Sequence, residues 1–140
     1  MATTTPLATN HHGLAALDSR YVDVDALDWE QTRFPGVTMK RLMEDADTGM
    51  LTTLVRMDPG AGLPDHEHVA IEQTWVLEGS LVDSEGTASV GSFVWRPGGS
   101  RHAVTAPEGA LLLSFFMQPN RFFDREENAI GWEIGARQAS

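Results

Sequence analysis

Three histidines and one glutamate form the pattern in this sequence that is best suited to chemistry. His66 and His68 flank a single residue, and Glu72 follows shortly after them. His102 lies further along, at the end of the glycine-rich stretch GSFVWRPGGSRH, residues 91–102. In an extended chain alternate side chains share a face, so the first two imidazoles point the same way. Imidazole and carboxylate groups bind transition metals at about 2.0–2.2 Å, and the set predicts a metal site with these four side chains as ligands.

The coordination positions that such a set leaves open favour a catalytic or sensing metal. Three nitrogen donors and one oxygen donor leave one or two positions for water, substrate or oxygen, whereas a structural site is closed. A bare His-x-His pair also occurs on exposed faces, and a glutamate beside histidines is often a surface ion pair, so the complete spacing carries the prediction. His11 and His12 lie in the N-terminal tail and are interpreted as solvated side chains.

Two stretches resemble the sequence motifs of the cupin superfamily. The first motif, G-x5-H-x-H-x3,4-E-x6-G, is matched without a mismatch at Gly60, His66, His68, Glu72 and Gly79. The second, G-x5-P-x-G-x2-H-x3-N, departs only at its last position, where Ala106 replaces Asn, and is matched at Gly91, Pro97, Gly99 and His102. The resemblance implies a jelly-roll barrel whose four ligand positions bind one divalent transition metal per chain.

The segment VLEGSLVDSEG, followed by residues 91–102, resembles the ChrR-like group of cupins. That group includes zinc-binding domains of anti-sigma factors and is similar to small dioxygenases that cleave β-diketones or hydroxyacetophenones. The resemblance therefore implies Fe2+ or Zn2+ as the metal. Mn2+ and Ni2+ are alternatives, because the choice among these ions is set partly by their availability.

Three functions are compatible with this ligand set. The first is an Fe(II)-type dioxygenase acting on a small oxygenated substrate of the diketone or hydroxyaryl ketone class. In it the three histidines hold the metal, and Glu72 either ligates the metal or orients a ligand. The alternatives are a zinc-binding, non-catalytic sensor or regulatory cupin, and a metal-dependent isomerase or hydrolase. The expected partner is a small molecule.

Four residues near the motifs are candidates for a substrate pocket: Gln73, Trp75, Trp95 and Arg56. The glutamine follows a predicted ligand and should face away from it by alternation. Both tryptophans lie mid-strand, where packing on the sheet is the main alternative. Three arginines could anchor an anionic substrate or form surface ion pairs instead: Arg56, Arg96 and Arg101.

Short apolar stretches separated by glycine and proline predict an all-β fold. The pattern favours strands at residues 21–29, 37–44, 50–57, 73–77, 80–83, 87–90, 92–96, 102–105 and 110–117. Residues 37–44 could form a short helix, but the flanking turns favour a hairpin with 50–57. Residues 58–64 are expected to form a loop that cannot continue a ladder, and Gly79 to end a strand. The fold class is therefore a single-domain antiparallel β-sandwich or barrel.

The chain of 140 residues is expected to form one domain. Residues 1–17 lack any period and predict a mobile N-terminal arm. Residues 18–140 form the cupin domain, with N-terminal strands at 18–57, the metal-site barrel at 58–118 and a C-terminal cap at 119–140 that includes a helical turn around 124–128. The resemblance implies a homo-oligomer, most simply a dimer, to which strand 21–29 could contribute at a sheet edge.

Composition excludes several other classes of protein. A net charge of −10 argues against nucleic acid and anionic membranes as partners. The absence of cysteine excludes disulfides, cysteine-rich zinc sites and thiol nucleophiles. No apolar run approaches the roughly 20 residues of a membrane span, and the N-terminus lacks the features of a secretory signal. A cytoplasmic protein is the expectation.

Overall fold

The computed structural model of the protein describes residues 3–123 and 129–130. Within them the only helix is one 3-10 turn, η1 (Val24–Ala26). The strands are β1 (Thr3–Thr4), β2 (Glu30–Gln31), β3 (Val37–Asp45), β4 (Leu51–Met57), β5 (Ala61–Glu67), β6 (Glu72–Val82), β7 (Thr87–Ser89), β8 (Phe93–Arg96), β9 (Arg101–Ala106), β10 (Ala110–Phe116), β11 (Arg121–Phe123) and β12 (Ala129–Ile130). Their pairings are antiparallel, which confirms the predicted fold class.

The strands form two sheets that share β6. Through its first half β6 pairs with β8 and β10, in a sheet that continues through β4 and β3. Through its last residues it pairs with β7 and β9, in a sheet that continues through β5, β11 and β12. The shared strand curls the two sheets into a barrel with one apolar core between them.

The strand β6 changes sheets at Gly79, where we expected it to end. The backbone of this glycine has a φ of 71°, and an added Cβ would lie 1.9 Å from the carbonyl oxygen of Gly109. Two residues earlier, at Leu77, the pairing with β10 shifts register between Leu111 and Leu112. The glycine therefore bends the strand instead of terminating it, because only a residue without a side chain allows this close approach.

Most of the other predicted strands are confirmed. β3 pairs with β4 as a hairpin, and alternate residues of β4 are buried, as expected for strands with one face on the core. The hairpin of β6 and β7 is also present. In the described residues no helix has the length and apolarity needed to cross a membrane.

The prediction of a strand at residues 21–29 is wrong. Its centre forms η1, and the Nζ of Lys40 donates a hydrogen bond to the carbonyl of Val24 at 2.7 Å. The residues alternate between apolar and acidic, but the pairing edge of β3 is already occupied by β1 and β2. Without a free edge the segment crosses the outside of the sheet, where the ring of Trp29 lies under Lys40 and Arg56.

The expected loop at residues 58–64 is shorter than predicted. β5 already begins at Ala61 and includes Pro64. The proline is accommodated because the pairing with β9 is irregular between Leu63 and His66, so no ladder hydrogen bond from its nitrogen is needed.

Both ends of the chain contribute strands. Thr3–Thr4 in the segment expected to be an arm pairs with β3, and the Thr5 hydroxyl donates to the carbonyl of Leu42 at 2.7 Å. At the other end β11 pairs with β5. The helical turn expected around 124–128 lies outside the described residues.

Candidate metal centre

Neighbouring strands bring the three motif histidines together inside the barrel. His66 in β5 lies directly opposite His102 in β9, and their ring centroids are 4.6 Å apart. His68 follows the end of β5 and is held by the turn before β9: its N–H donates to the carbonyl of Ser100 at 2.8 Å, and its carbonyl accepts from Gly99 at 2.7 Å. Its ring lies 5.0 Å from that of His66 and 4.8 Å from that of His102. All three side chains are buried.

Hydrogen bonds set the tautomer of His66 and His68. Nδ1 of His66 lies 2.9 Å from the carbonyl oxygen of Pro64, which can only accept, so Nδ1 carries the proton. Nδ1 of His68 lies 2.9 Å from the hydroxyl of Ser100, which itself donates to the carbonyl of Pro97 at 2.6 Å. Because that hydroxyl has already given its proton to Pro97, Nδ1 of His68 must be the donor and carries a proton as well. In both rings Nε2 keeps its lone pair, which is the form that binds a metal.

The carboxylate of Asp83 holds the third imidazole in the same tautomer. Its Oδ2 accepts a hydrogen bond from Nδ1 of His102 at 2.8 Å and another from the guanidinium of Arg96 at 3.0 Å. Burial raises the pKa of Asp83, but these partners and two backbone N–H groups outweigh it, so the net pKa is lowered. The carboxylate is therefore charged at neutral pH, and Nε2 of His102 is left with its lone pair.

Burial keeps the three imidazoles neutral. It lowers the pKa of His66 to about 4 and that of His68 to about 3, with the neighbouring imidazoles lowering both further. The pKa of His102 is also lowered by burial, although the bond to Asp83 opposes the shift. Only neutral imidazole binds a metal, so the site is ready for a cation at pH 7 without losing protons.

The donor atoms of the three histidines suit a transition metal. One ring nitrogen from each can be chosen so that all of them lie within 4.8 Å of one another. Nε2 of His68 is buried and has no hydrogen-bond partner among the described residues. A buried acceptor without a partner is unfavourable, and a divalent cation between the three Nε2 atoms would satisfy it. His66, His68 and His102 could therefore hold a metal ion.

Glu72 lies beside this cluster. Its Oε2 is 3.5 Å from Nε2 of His68 and 3.7 Å from Nε of Arg96, and its Oε1 accepts from the amide of Asn120 at 3.3 Å. Burial raises the pKa of Glu72 to about 7, although Asn120 and Arg96 oppose the shift. Near neutral pH the side chain can therefore either carry a proton or offer a carboxylate oxygen to a cation.

A small cavity of about 40 Å³ adjoins the histidines. On one side its wall is polar, with Glu72, Arg96, Asn120, Thr74 and Ser114, and the last two share a hydrogen bond of 3.0 Å. The remaining lining is apolar: Val55, Met57, Leu63, Leu81, Val104, Leu112 and Phe116. The space is enough for about three waters, so any molecule accepted there without rearrangement is small.

The four pocket candidates from the sequence do not line this cavity. Gln73, Trp75 and Trp95 face the outside of the sheet, and Arg56 is exposed beside Trp29. Of the arginines near the motifs, Arg96 does line the cavity, whereas Arg101 forms an exposed ion pair with Asp65.

Sequence reasoning missed Asp83 and Asn120. Inward residues of β6 have even numbers up to Val76 and odd numbers from Leu81, because the strand bulges at Leu77, where its pairing with β10 shifts register. Uninterrupted alternation from Glu72 would have turned Asp83 outward. Its position directly before the polar hairpin turn at residues 84–86 was the only available signal. Asn120 follows β10 in a stretch without a pattern.

Comparison with known proteins agrees with this architecture. A candidate acetylacetone dioxygenase from Methylibium petroleiphilum PM1 has a TM-score of 0.74 at 20% identity over 85% of this chain and 92% of that chain. An acetylacetone dioxygenase from Acinetobacter johnsonii gives 0.72 at 20% identity over 85% and 89%. The complex of SigE with the anti-sigma ChrR from Rhodobacter sphaeroides gives 0.57 at 22% identity over 66% of this chain and 51% of that chain. At these identities the likeness concerns the fold.

The sequence itself gives the family. No curated protein sequence matches the chain significantly. A family model described as the ChrR cupin-like domain matches residues 18–120, which include the three clustered histidines and most strands of both sheets. The chain therefore belongs to the ChrR cupin-like family.

Proposed function

We propose that the protein is an Fe(II)-dependent dioxygenase that cleaves a small diketone or hydroxyaryl ketone. The observation that carries the proposal is the convergence of three neutral imidazoles, whose Nδ1 hydrogen bonds leave each Nε2 unprotonated, beside a cavity with a partly polar lining. Three neutral nitrogen donors leave neighbouring coordination positions open, which a closed structural site does not. Similarity to two structures described as acetylacetone dioxygenases supports the choice of reaction.

The residues of the chain would divide the work between holding the metal and shaping the pocket. His66, His68 and His102 would hold the ion, and bound Fe(II) would supply redox chemistry with dioxygen and a carbonyl substrate. Glu72, with a pKa of about 7, could take the proton lost when a diketone enolises. The apolar lining keeps water out, and the small cavity favours a compact substrate.

The proposal is tested with protein purified without oxygen and loaded with Fe(II). We expect oxygen consumption on addition of acetylacetone or a hydroxyacetophenone, with label from labelled dioxygen appearing in both products. The His102→Ala variant should lose iron and activity together, whereas His12→Ala, which changes an exposed tail histidine, should keep both. If the ketone does not raise oxygen uptake by iron-loaded wild type above the rate without substrate, the proposed reaction is refuted. Equal iron in wild type and His102→Ala would refute the site.

A zinc-binding regulatory cupin is the second candidate. It is favoured by the position of Glu72, whose Oε2 lies 3.5 Å from Nε2 of His68 and could close the site as a fourth ligand. The anti-sigma ChrR shares the fold. Under this alternative the purified protein carries tightly bound zinc, Glu72→Gln weakens that binding, and no ketone supports oxygen uptake after exchange to iron.

A further inference from the structure

One side chain in the wall of the metal cavity has an unused hydrogen-bond acceptor. Among the described residues three buried side-chain atoms make no hydrogen bond: Oγ1 of Thr53, Nε2 of His68 and Oδ1 of Asn120. A metal ion would satisfy His68, and Thr53 does not line the cavity. Asn120 does line it and is only 9% exposed. A molecule inside the cavity is therefore the partner that Oδ1 of Asn120 can still find.

A hydrogen bond to Glu72 sets the orientation of the Asn120 amide. Nδ2 of Asn120 donates to Oε1 of Glu72 at 3.3 Å, and the other oxygen of the same carboxylate lies 3.5 Å from Nε2 of His68. Turning the amide over would place its oxygen against a carboxylate oxygen, which also accepts, so Oδ1 is the free end. Glu72 thus lies between the histidine cluster and Asn120.

The other polar side chains of the cavity wall already have partners within the protein. The guanidinium of Arg96 pairs with Asp83 at 3.0 Å and lies 3.7 Å from Glu72. The hydroxyls of Thr74 and Ser114 share a hydrogen bond of 3.0 Å. A ligand therefore gains little from these groups, whereas a donor placed at Asn120 removes the cost of a buried acceptor without a partner.

The size of the cavity and the type of the unused atom define the ligand. An acceptor needs a donor, and a diketone that binds a cation through both oxygens has only C–H groups left to offer. A ketone with an additional hydroxyl group carries such a donor. The cavity of about 40 Å³ holds about three waters, so the hydroxyl must lie close to the carbonyl.

We propose that Asn120 determines specificity by accepting a hydrogen bond at Oδ1 from a hydroxyl group of the substrate. The preferred substrate is then a compact ketone with a hydroxyl group close to its carbonyl. This role rests on the proposed function, because the carbonyl of the same substrate is taken to bind at the histidine site. It adds a second point of recognition, on the far side of Glu72 from His68.

Hydroxyacetone and butanone are matched probes, because one has a hydroxyl where the other has a methyl group. Nuclear magnetic resonance titration of zinc-loaded protein gives both dissociation constants without turnover. Wild type should bind hydroxyacetone about tenfold more tightly than butanone, the effect of one buried hydrogen bond. Asn120→Leu, similar in size but without a polar atom, should abolish this preference and still bind butanone. Gln118→Leu is the control, because Gln118 is an exposed amide in the same loop, and it should keep the preference.

A second variant keeps the acceptor and tests the oxygen itself. Asn120→Asp retains an oxygen at the position of Oδ1 and should keep the preference for hydroxyacetone. Bound zinc and binding of butanone show that each variant has folded. The proposal is overturned if wild type binds both probes equally or neither of them. It is also overturned if the preference survives in Asn120→Leu, or is lost in Gln118→Leu or Asn120→Asp.

Failure of the Asn120 subsite and failure of the proposed reaction give different results, because the titration involves no turnover. If iron-loaded protein consumes oxygen with acetylacetone but the two probes bind equally, the reaction stands and the subsite is wrong. If no ketone supports oxygen uptake and wild type still prefers hydroxyacetone in an Asn120-dependent way, the subsite stands and the reaction is wrong.

Discussion

Asp83 and His102 share a hydrogen bond of 2.8 Å between Oδ2 and Nδ1, although Asp83 directly follows β6 and His102 lies in β9. The same oxygen accepts from Arg96, so one buried carboxylate joins an imidazole to a cation in the wall of the cavity. Carboxylates that orient ligating histidines raise their basicity and fix their direction.

Asp83→Asn should weaken metal binding about tenfold, because a neutral amide accepts a weaker hydrogen bond from His102 and leaves the charge of Arg96 unbalanced. Competition with a chelator of known affinity measures the change. Asp65→Asn is the control, since Asp65 is also paired with an arginine but is exposed. Equal affinity in wild type and Asp83→Asn would show that this carboxylate does not position the ligand.

The metal-free protein should lose stability in mild acid. The folded pKa values of His66 and His68, about 4 and 3, lie below the ordinary 6.5, so between pH 6.5 and 4 the unfolded chain binds more protons. Each histidine then reduces the free energy of unfolding by about 1 kcal/mol per pH unit as the pH falls. The raised pKa of Glu72 increases the free energy of unfolding as the pH falls over this range, but this one group opposes two histidines.

Urea unfolding at several pH values measures this decline. The variant His11→Gln/His12→Gln, which keeps the buried cluster, should show the same slope as wild type. A stability that is constant from pH 6.5 to pH 5 would contradict the depressed pKa values.

Replacing Glu72 by glutamine should change how the stability of the metal-free protein varies between pH 6 and 8. The pKa of Glu72 is raised to about 7 from 4.5, so its contribution to stability is complete below pH 4.5 and is lost as the pH rises through 7. Relative to Glu72→Gln, metal-free wild type should therefore lose about 1 kcal/mol between pH 6 and 8, because the buried histidines contribute equally in both proteins. Parallel stability curves for the two proteins over this range would contradict the raised pKa of Glu72.

Gly79→Ala should destabilise the barrel by about 3 kcal/mol or more. The new Cβ would overlap the carbonyl of Gly109 at 1.9 Å, and the backbone of Gly79 has a positive φ. Gly86→Ala is the control, because nothing lies within 4 Å of its added Cβ, and its cost should stay within about 0.5 kcal/mol. Urea unfolding gives both values. Similar costs would mean that the strand can bend without the glycine.

The sequence was sufficient to predict the histidine cluster because its information is local. His66 and His68 share a face through the period of the strand, and the turn chemistry before β9 positions His102. The alternation also places Gln73 outward, away from Glu72, as predicted.

What the sequence could not supply depends on contacts between distant strands. Whether Trp75 and Trp95 face the cavity or the outside follows from which side of the sheet is covered, not from their mid-strand position. The inward direction of Asp83 depends on the register shift of β6 at Leu77, just before the close approach of Gly79 to Gly109. Residues 21–29 form no strand because β1 and β2 already pair with the outer edge of β3.

The opposition of His66 and His102 across β5 and β9 also has a kinetic meaning. The two residues are far apart in the chain, and Glu72 and Asp83 reach the site from the two halves of one strand, so the complete set of donors exists only after both sheets have joined. Contacts of this kind form late in folding. A bound ion should therefore slow unfolding far more than it speeds refolding, and the metal content of a preparation would count the chains that have finished folding.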